Sequence, residues 1–142
     1  TSSWARSATS TPVATPIGTG LLTTPNWSVQ DYDTDSMFTP FNNKIYAPLD
    51  GTYLVSFKVT FASAATGQRE AFVGVSGGAT RHAGVSVPVG STAAAVVLSS
   101  AAEVDLTAGA YVQVYTYQTS GAGLNAMNDT TDYFSLRFLG PT

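Results

Sequence analysis

Residues 52–61 read TYLVSFKVTF, and this stretch decides the fold class. Tyr53, Val55, Phe57, Val59 and Phe61 alternate with Leu54, Ser56, Lys58 and Thr60. Successive side chains of an extended chain point to opposite faces, so a period of two gathers the large apolar groups on one side. A helix would scatter them around its circumference. The β-branched and aromatic content favours a strand, and Asp50-Gly51 just upstream is a turn signal.

Working outward, REAFVGVS at 69–76 is a second strand, closed by Gly77-Gly78, and a third runs near 80–87 to Pro88. The alanines of TAAAVVLSSAAEV at 92–104 invite a helical reading. No capping pattern supports it, and Thr107-Ala108-Gly109 is a turn that opens another strand, so this segment is also assigned as β. AYVQVYTYQ at 110–118 places Val112, Val114 and Thr116 on one face and Tyr111, Gln113, Tyr115 and Tyr117 on the other. In DYFSLRFL at 132–139, Phe134, Leu136 and Phe138 are core candidates, with Tyr133, Ser135 and Arg137 opposite. Short strands at this spacing, with no amphipathic helix and no internal repeat, predict an all-β sandwich or jelly roll.

The first 25 residues differ from the rest. They are rich in Ser, Thr, Pro and Gly, and Pro12, Pro16 and Pro25 oppose helix. They are read as an extended N-terminal arm (1–25) preceding the jelly-roll domain (26–142). Ordering such a segment requires a surface to lie against. Trp4, Val13, Ile17, Leu21 and Leu22 are its candidate partner-binding anchors, against the alternative that they are incidental tail residues.

Composition narrows function by exclusion. The 142 residues amount to one domain and include no cysteine, which removes disulfides, thiolate metal sites and a thiol nucleophile. Charged residues make up 11% and the net charge is −3. Arg6, Lys44, Lys58, Arg69, Arg81 and Arg137 are scattered singly, without the clustered cations that displace counterions from nucleic acid. No apolar run approaches the roughly 18 residues of a membrane span. The N-terminus lacks the apolar core of a secretory signal, so an export signal is expected to be absent or already removed. Low charge suits a protein embedded in an assembly.

The order of motifs resembles the C1q/TNF-like family. Tyr32-Asp33, Asn43, Ile45, Pro48, Gly51, Tyr53, Val59 and Phe61 stand where that family has an aromatic-Asp pair, Asn-x-Ile-x-x-Pro-x-x-Gly-x-Tyr, and a strand ending Val-x-Phe. Leu106 to Val112 resembles Leu-x-x-Gly-Asp-x-Val, with Ala110 where Asp is usual, and Phe134 with Leu139-Gly140 resembles the closing strand. The match covers about residues 27–140. It implies a ten-strand, two-sheet antiparallel jelly roll that assembles as a homotrimer, and a recognition or structural role rather than catalysis. The usual collagen or coiled-coil stalk does not appear in this chain. On this reading Tyr111, Gln113, Tyr115 and Tyr117, together with Tyr133 and Arg137, form the trimer interface. The alternative is a monomer in which these tyrosines cap the rim of the core.

Chemical motifs are weak. Gly74-Val75-Ser76-Gly77-Gly78 spells Gly-x-Ser-x-Gly, but the sole histidine, His82, lies six residues on, and a strand rather than a helix follows. The protein is therefore read as no enzyme, with no cofactor. Asp31, Asp33 and Asp35 imitate the start of a calcium loop, yet Ser36 and Asn42 replace the required Gly and Glu; a solvated loop is preferred to a calcium site. Asn128, Asp129 and Asp132 read as turn residues before metal ligands, and no metal site is assigned. Asn26 and Asn128 open glycosylation sequons by pattern only.

Two functional readings follow. The first is a trimeric decoration protein of a phage capsid, located on the virion and gripping the major capsid protein through the arm. The second is a receptor- or carbohydrate-binding head of a phage tail fibre, or of a bacterial surface or secreted protein. Neither involves nucleic acid or membrane.

Overall fold

A computed structural model of the chain describes residues 4–8, 15–18, 20–25, 27, 29–33, 36–39, 43–78, 80–89, 94–126 and 131–142. These residues form two antiparallel sheets and no helix. In chain order the strands are β1 (Trp4–Ala8), β2 (Thr15–Ile17), β3 (Val29–Asp33), β4 (Phe38–Thr39), β5 (Lys44–Tyr46), β6 (Gly51–Ala64), β7 (Gln68–Val75), β8 (His82–Pro88), β9 (Ala94–Leu106), β10 (Tyr111–Gln118), β11 (Leu124–Ala126) and β12 (Tyr133–Gly140). The first sheet runs β3-β1-β12-β6-β9, with the short pair β2–β11 attached to β6 where Ala126 meets Phe61. The second runs β4-β5-β10-β7-β8. Ten strands thus build the sandwich, and β2–β11 extends it.

The alternation in 52–61 works as expected. Tyr53, Val55, Phe57, Val59 and Phe61 are fully buried between the sheets, joined by Leu136 and Phe134 of β12 and by Leu98 and Val104 of β9. From the second sheet Ile45, Val73, Val112 and Val114 face them. Trp27 closes one flank, its ring 5.7 Å from that of Phe134. The alanine-rich segment 94–106 is strand: its small outward residues leave helix propensity in place, but pairing with the whole of β6 overrides it.

Several residues behind the family resemblance have a local physical role. Asn43 adopts φ 58°, which Asn tolerates, and its Oδ1 accepts the Trp27 N–H at 3.0 Å. The Tyr53 hydroxyl donates to the Leu49 carbonyl at 2.8 Å, fastening the turn that precedes β6. Asp50 Oδ1 accepts the Ala108 N–H at 2.7 Å and ties that turn to the β9–β10 turn.

The described parts of the N-terminal stretch are extended and pair with both sheets. Trp4–Ala8 pairs with both β12 and β3, Thr15–Ile17 pairs with β11, and Thr23 bridges Thr116 on the edge of β10 beyond β5. Gly20 N–H donates to the Gln118 carbonyl at 2.8 Å. Proline-rich, unpatterned sequence hides this role, because a backbone ladder needs only N–H and C=O groups, and β12 and β10 would otherwise present unpaired edges.

Candidate functional site

The sandwich has two outward faces, and the candidate interface residues are divided between them. Tyr111, Gln113, Tyr115 and Tyr117 lie on the second sheet, whereas Tyr133 and Arg137 lie on the outside of the first. They are not brought together within one protomer. Alternation distinguishes inside from outside, but not which sheet a strand joins.

On the second sheet the outward residues form an aromatic field. Tyr46 and Tyr111 contact at 5.6 Å between ring centroids, with Lys44 Nζ 4.1 Å above the Tyr111 ring. Tyr115 and its cross-strand partner Phe72 stack at 5.4 Å and 19°. The Tyr115 hydroxyl donates to Gln113 Oε1 at 2.9 Å. Arg81 lies 4.3 Å above Phe72 and is ion-paired with Glu70. Two backbone features permit this arrangement. A Cβ on Gly74 would lie 2.7 Å from the Tyr115 ring, so only glycine lets that ring lie flat across β7. A bulge in β8 with Ala83 at φ 53° falls opposite Phe72, and such bulges re-aim neighbouring side chains. Leu22, Phe72, Gly77, Gly78, Arg81 and Tyr115 then line an open cleft of about 350 Å³.

On the first sheet the outward face mixes small residues with the charged Lys58, Glu103, Asp105 and Arg137. Ser135, Ser56 and Ala101 stand side by side across β12, β6 and β9, and the two serine hydroxyls bond at 2.6 Å. Leu54 sits in register between Arg137 and Glu103. Val97 and Leu139 are exposed at 52% and 47%.

Of the arm candidates, Leu21 and Leu22 are exposed at 62% and 54%. Trp4 and Ile17 are placed only by backbone pairing, with Arg137 and Leu124 respectively, and Val13 lies outside the described residues. Ser76 occupies a turn between two strands, not a strand-to-helix elbow; its Oγ accepts the Tyr111 N–H at 3.3 Å, and His82 opens β8. Asp31 and Asp33 are backbone members of β3, while Asp35, Asn128 and Asp129 lie outside the described residues.

Two buried polar residues escaped sequence reasoning. Asp132 is fully buried, accepting the Thr60 N–H at 2.9 Å and the Thr60 hydroxyl at 2.8 Å. Arg69 is also fully buried and donates to the carbonyls of Thr66, Gln68 and Ala64 at 2.9–3.2 Å. Its burial lowers the guanidinium pKa from its ordinary value. Residue type reads both as surface, yet alternation signals them: Arg69 shares the parity of buried Ala71 and Val73, and Asp132 that of buried Phe134 and Leu136.

No model of a known protein family matches the sequence, and a search of curated proteins finds no relative. Solved structures do match. The globular domain of zebrafish complement 1qA protein superposes with a TM-score of 0.66 at 12% identity, covering 100% of both chains. Eiger TNF from S. frugiperda gives 0.66 at 13% identity over 99% of this chain and 94% of that one. The chain has the C1q/TNF-like jelly-roll fold. Murine APRIL agrees, at 0.67 and 17% identity over 98% of this chain and 100% of its own. At such identities the likeness is one of fold, and function must be argued from the jelly roll's surfaces.

Proposed function

We propose that this jelly roll is a non-enzymatic structural protein that forms a homotrimer and decorates the outer surface of a bacteriophage capsid, stabilising the particle. The observation that supports self-association is the first sheet's outward face. Small residues allow close approach, the Ser56 and Ser135 hydroxyls satisfy each other, and Val97 and Leu139 offer apolar area. Arg137 and Glu103 flank Leu54 with opposite charge. Tyr133 and Arg137 belong to this interface, whereas the β10 tyrosines stay on the far side. Leu21 and Leu22 supply the apolar contact to the major capsid protein.

Native mass spectrometry of the isolated protein should give a trimer, and the trimer should co-sediment with capsids. The double variant Leu21→Ser/Leu22→Ser should remain trimeric and lose particle binding. A monomer at micromolar concentration, or undiminished particle binding by the variant, would sink the proposal.

A second reading, a recognition head at a cell or virion surface, is favoured by the aromatic cleft on the opposite face. Intact protein that ignores capsids but binds host cells would select it.

A further inference from the structure

We propose that the cleft lined by Tyr115, Phe72, Arg81, Leu22, Gly77 and Gly78 binds a neutral pyranose unit of a glycan, which rests on the recognition-head reading. A sugar ring combines an apolar C–H face with a rim of hydroxyls, and the cleft offers a match to each. Tyr115 presents a half-buried ring held flat by its stack on Phe72, with Leu22 exposed beside it. Arg81 lines the cleft as a donor fork, 51% exposed, and its ion-pair partner Glu70, outside the lining and 16% exposed, adds a carboxylate acceptor beside it. Adjacent hydroxyls can donate to the carboxylate and accept from the guanidinium.

Charge selects against other small ligands. The Arg81 cation is already partly balanced by Glu70, which weakens its attraction for a phosphate or carboxylate ligand. Position selects against peptides that add a strand, because the cleft lies on a sheet face rather than along an open edge. Size agrees: about 350 Å³ falls at the small end of ligand sites, which span about 300–1,000 Å³. The site is also organised before any ligand arrives. Arg81 is clamped by both Phe72 and Glu70, and paired glycines at 77 and 78 keep side chains out of the mouth.

The test is a titration of the ¹⁵N-labelled full chain with methyl β-galactoside, methyl β-glucoside, methyl α-mannoside and N-acetylglucosamine. At least one should bind in the millimolar range, with amide shifts centred on Gly74, Gly77, Gly78, Arg81 and Tyr115. Tyr115→Ala and Arg81→Gln should each weaken binding about tenfold. Arg81→Gln, a change at a half-exposed side chain, keeps the test valid if Tyr115→Ala perturbs the fold. Absence of shifts with all four sugars, shifts centred elsewhere, unchanged affinity in Arg81→Gln, or tighter binding of inorganic phosphate overturns the proposal. If host cells are still bound while every glycoside fails, the glycan site falls and the recognition reading stands. Failure of both removes both.

Discussion

Replacing Asp132 with alanine removes the acceptor that fastens the start of β12 to β6. Both partners are buried: Asp132 at 0% exposure and Thr60 at 5%. The carboxylate accepts the Thr60 N–H at 2.9 Å and its hydroxyl at 2.8 Å, while Lys58 Nζ is 3.9 Å away. A hydrogen bond to a charged group contributes about 1.5–3 kcal/mol, and alanine leaves two donors without their acceptor. Removing the desolvation of the carboxylate itself offsets part of that loss, so the expected cost is about 3–4 kcal/mol. That is a large share of the roughly 5–15 kcal/mol that stabilises a domain. Asp132→Asn should cost only about 1–2 kcal/mol, because its carbonyl still accepts the Thr60 N–H and the hydroxyl can turn to accept from the amide. Lys58→Met should cost less than about 1 kcal/mol, since that partner is partly exposed.

The assay is urea unfolding at one fixed protein concentration, comparing midpoints among variants that share a slope. A loss below about 1 kcal/mol for Asp132→Ala would refute the hydrogen-bond account. Equal damage from Asp132→Asn and Asp132→Ala would show that the charge, rather than the acceptor geometry, stabilises the fold. The coupling between Asp132→Ala and Thr60→Val isolates the hydroxyl bond and should be about 1.5–3 kcal/mol.

Deleting residues 1–25 should lower stability by at least about 2 kcal/mol and promote aggregation, because the β12 edge loses its ladder with β1; an unchanged calorimetric midpoint and unchanged light scattering would refute the integrated role of this segment. Leu54→Asp should convert the proposed trimer to monomer in native mass spectrometry, since a carboxylate covered by a neighbouring subunit is costly to desolvate, and a persistent trimer would exclude that face from the interface. Gly67→Ala should destabilise the β6–β7 turn by about 2 kcal/mol or more, because Gly67 has φ 84° and an added Cβ would lie 2.1 Å from the Thr119 carbonyl oxygen. Thermal melting followed by circular dichroism reads that loss, and a midpoint equal to wild type would contradict the geometry.

What the sequence determined by itself was local and periodic. The alternation of Tyr53, Val55, Phe57, Val59 and Phe61 specifies a strand with one buried face, because pleat geometry links spacing directly to side. The same rule separated Val112, Val114 and Thr116 from the β10 tyrosines, and ordered motifs such as Asn43, Gly51 and Tyr53 pointed to the jelly roll. Tertiary structure decided everything that depends on which strands are neighbours. It assigned the β10 tyrosines and Tyr133 to opposite outer faces, and it recruited residues 4–8 and 15–17 into the first sheet although their sequence carries no strand pattern. It also buried Arg69 and Asp132, whose types read as surface, and it assembled the cleft from Leu22, the neighbouring Phe72 and Arg81, and Tyr115, three separate regions of the chain. The physical reason is common to all of these. A side chain's facing is set within its own strand, whereas backbone ladders accept almost any sequence, so the partner across each ladder is chosen by the packing of the whole sandwich.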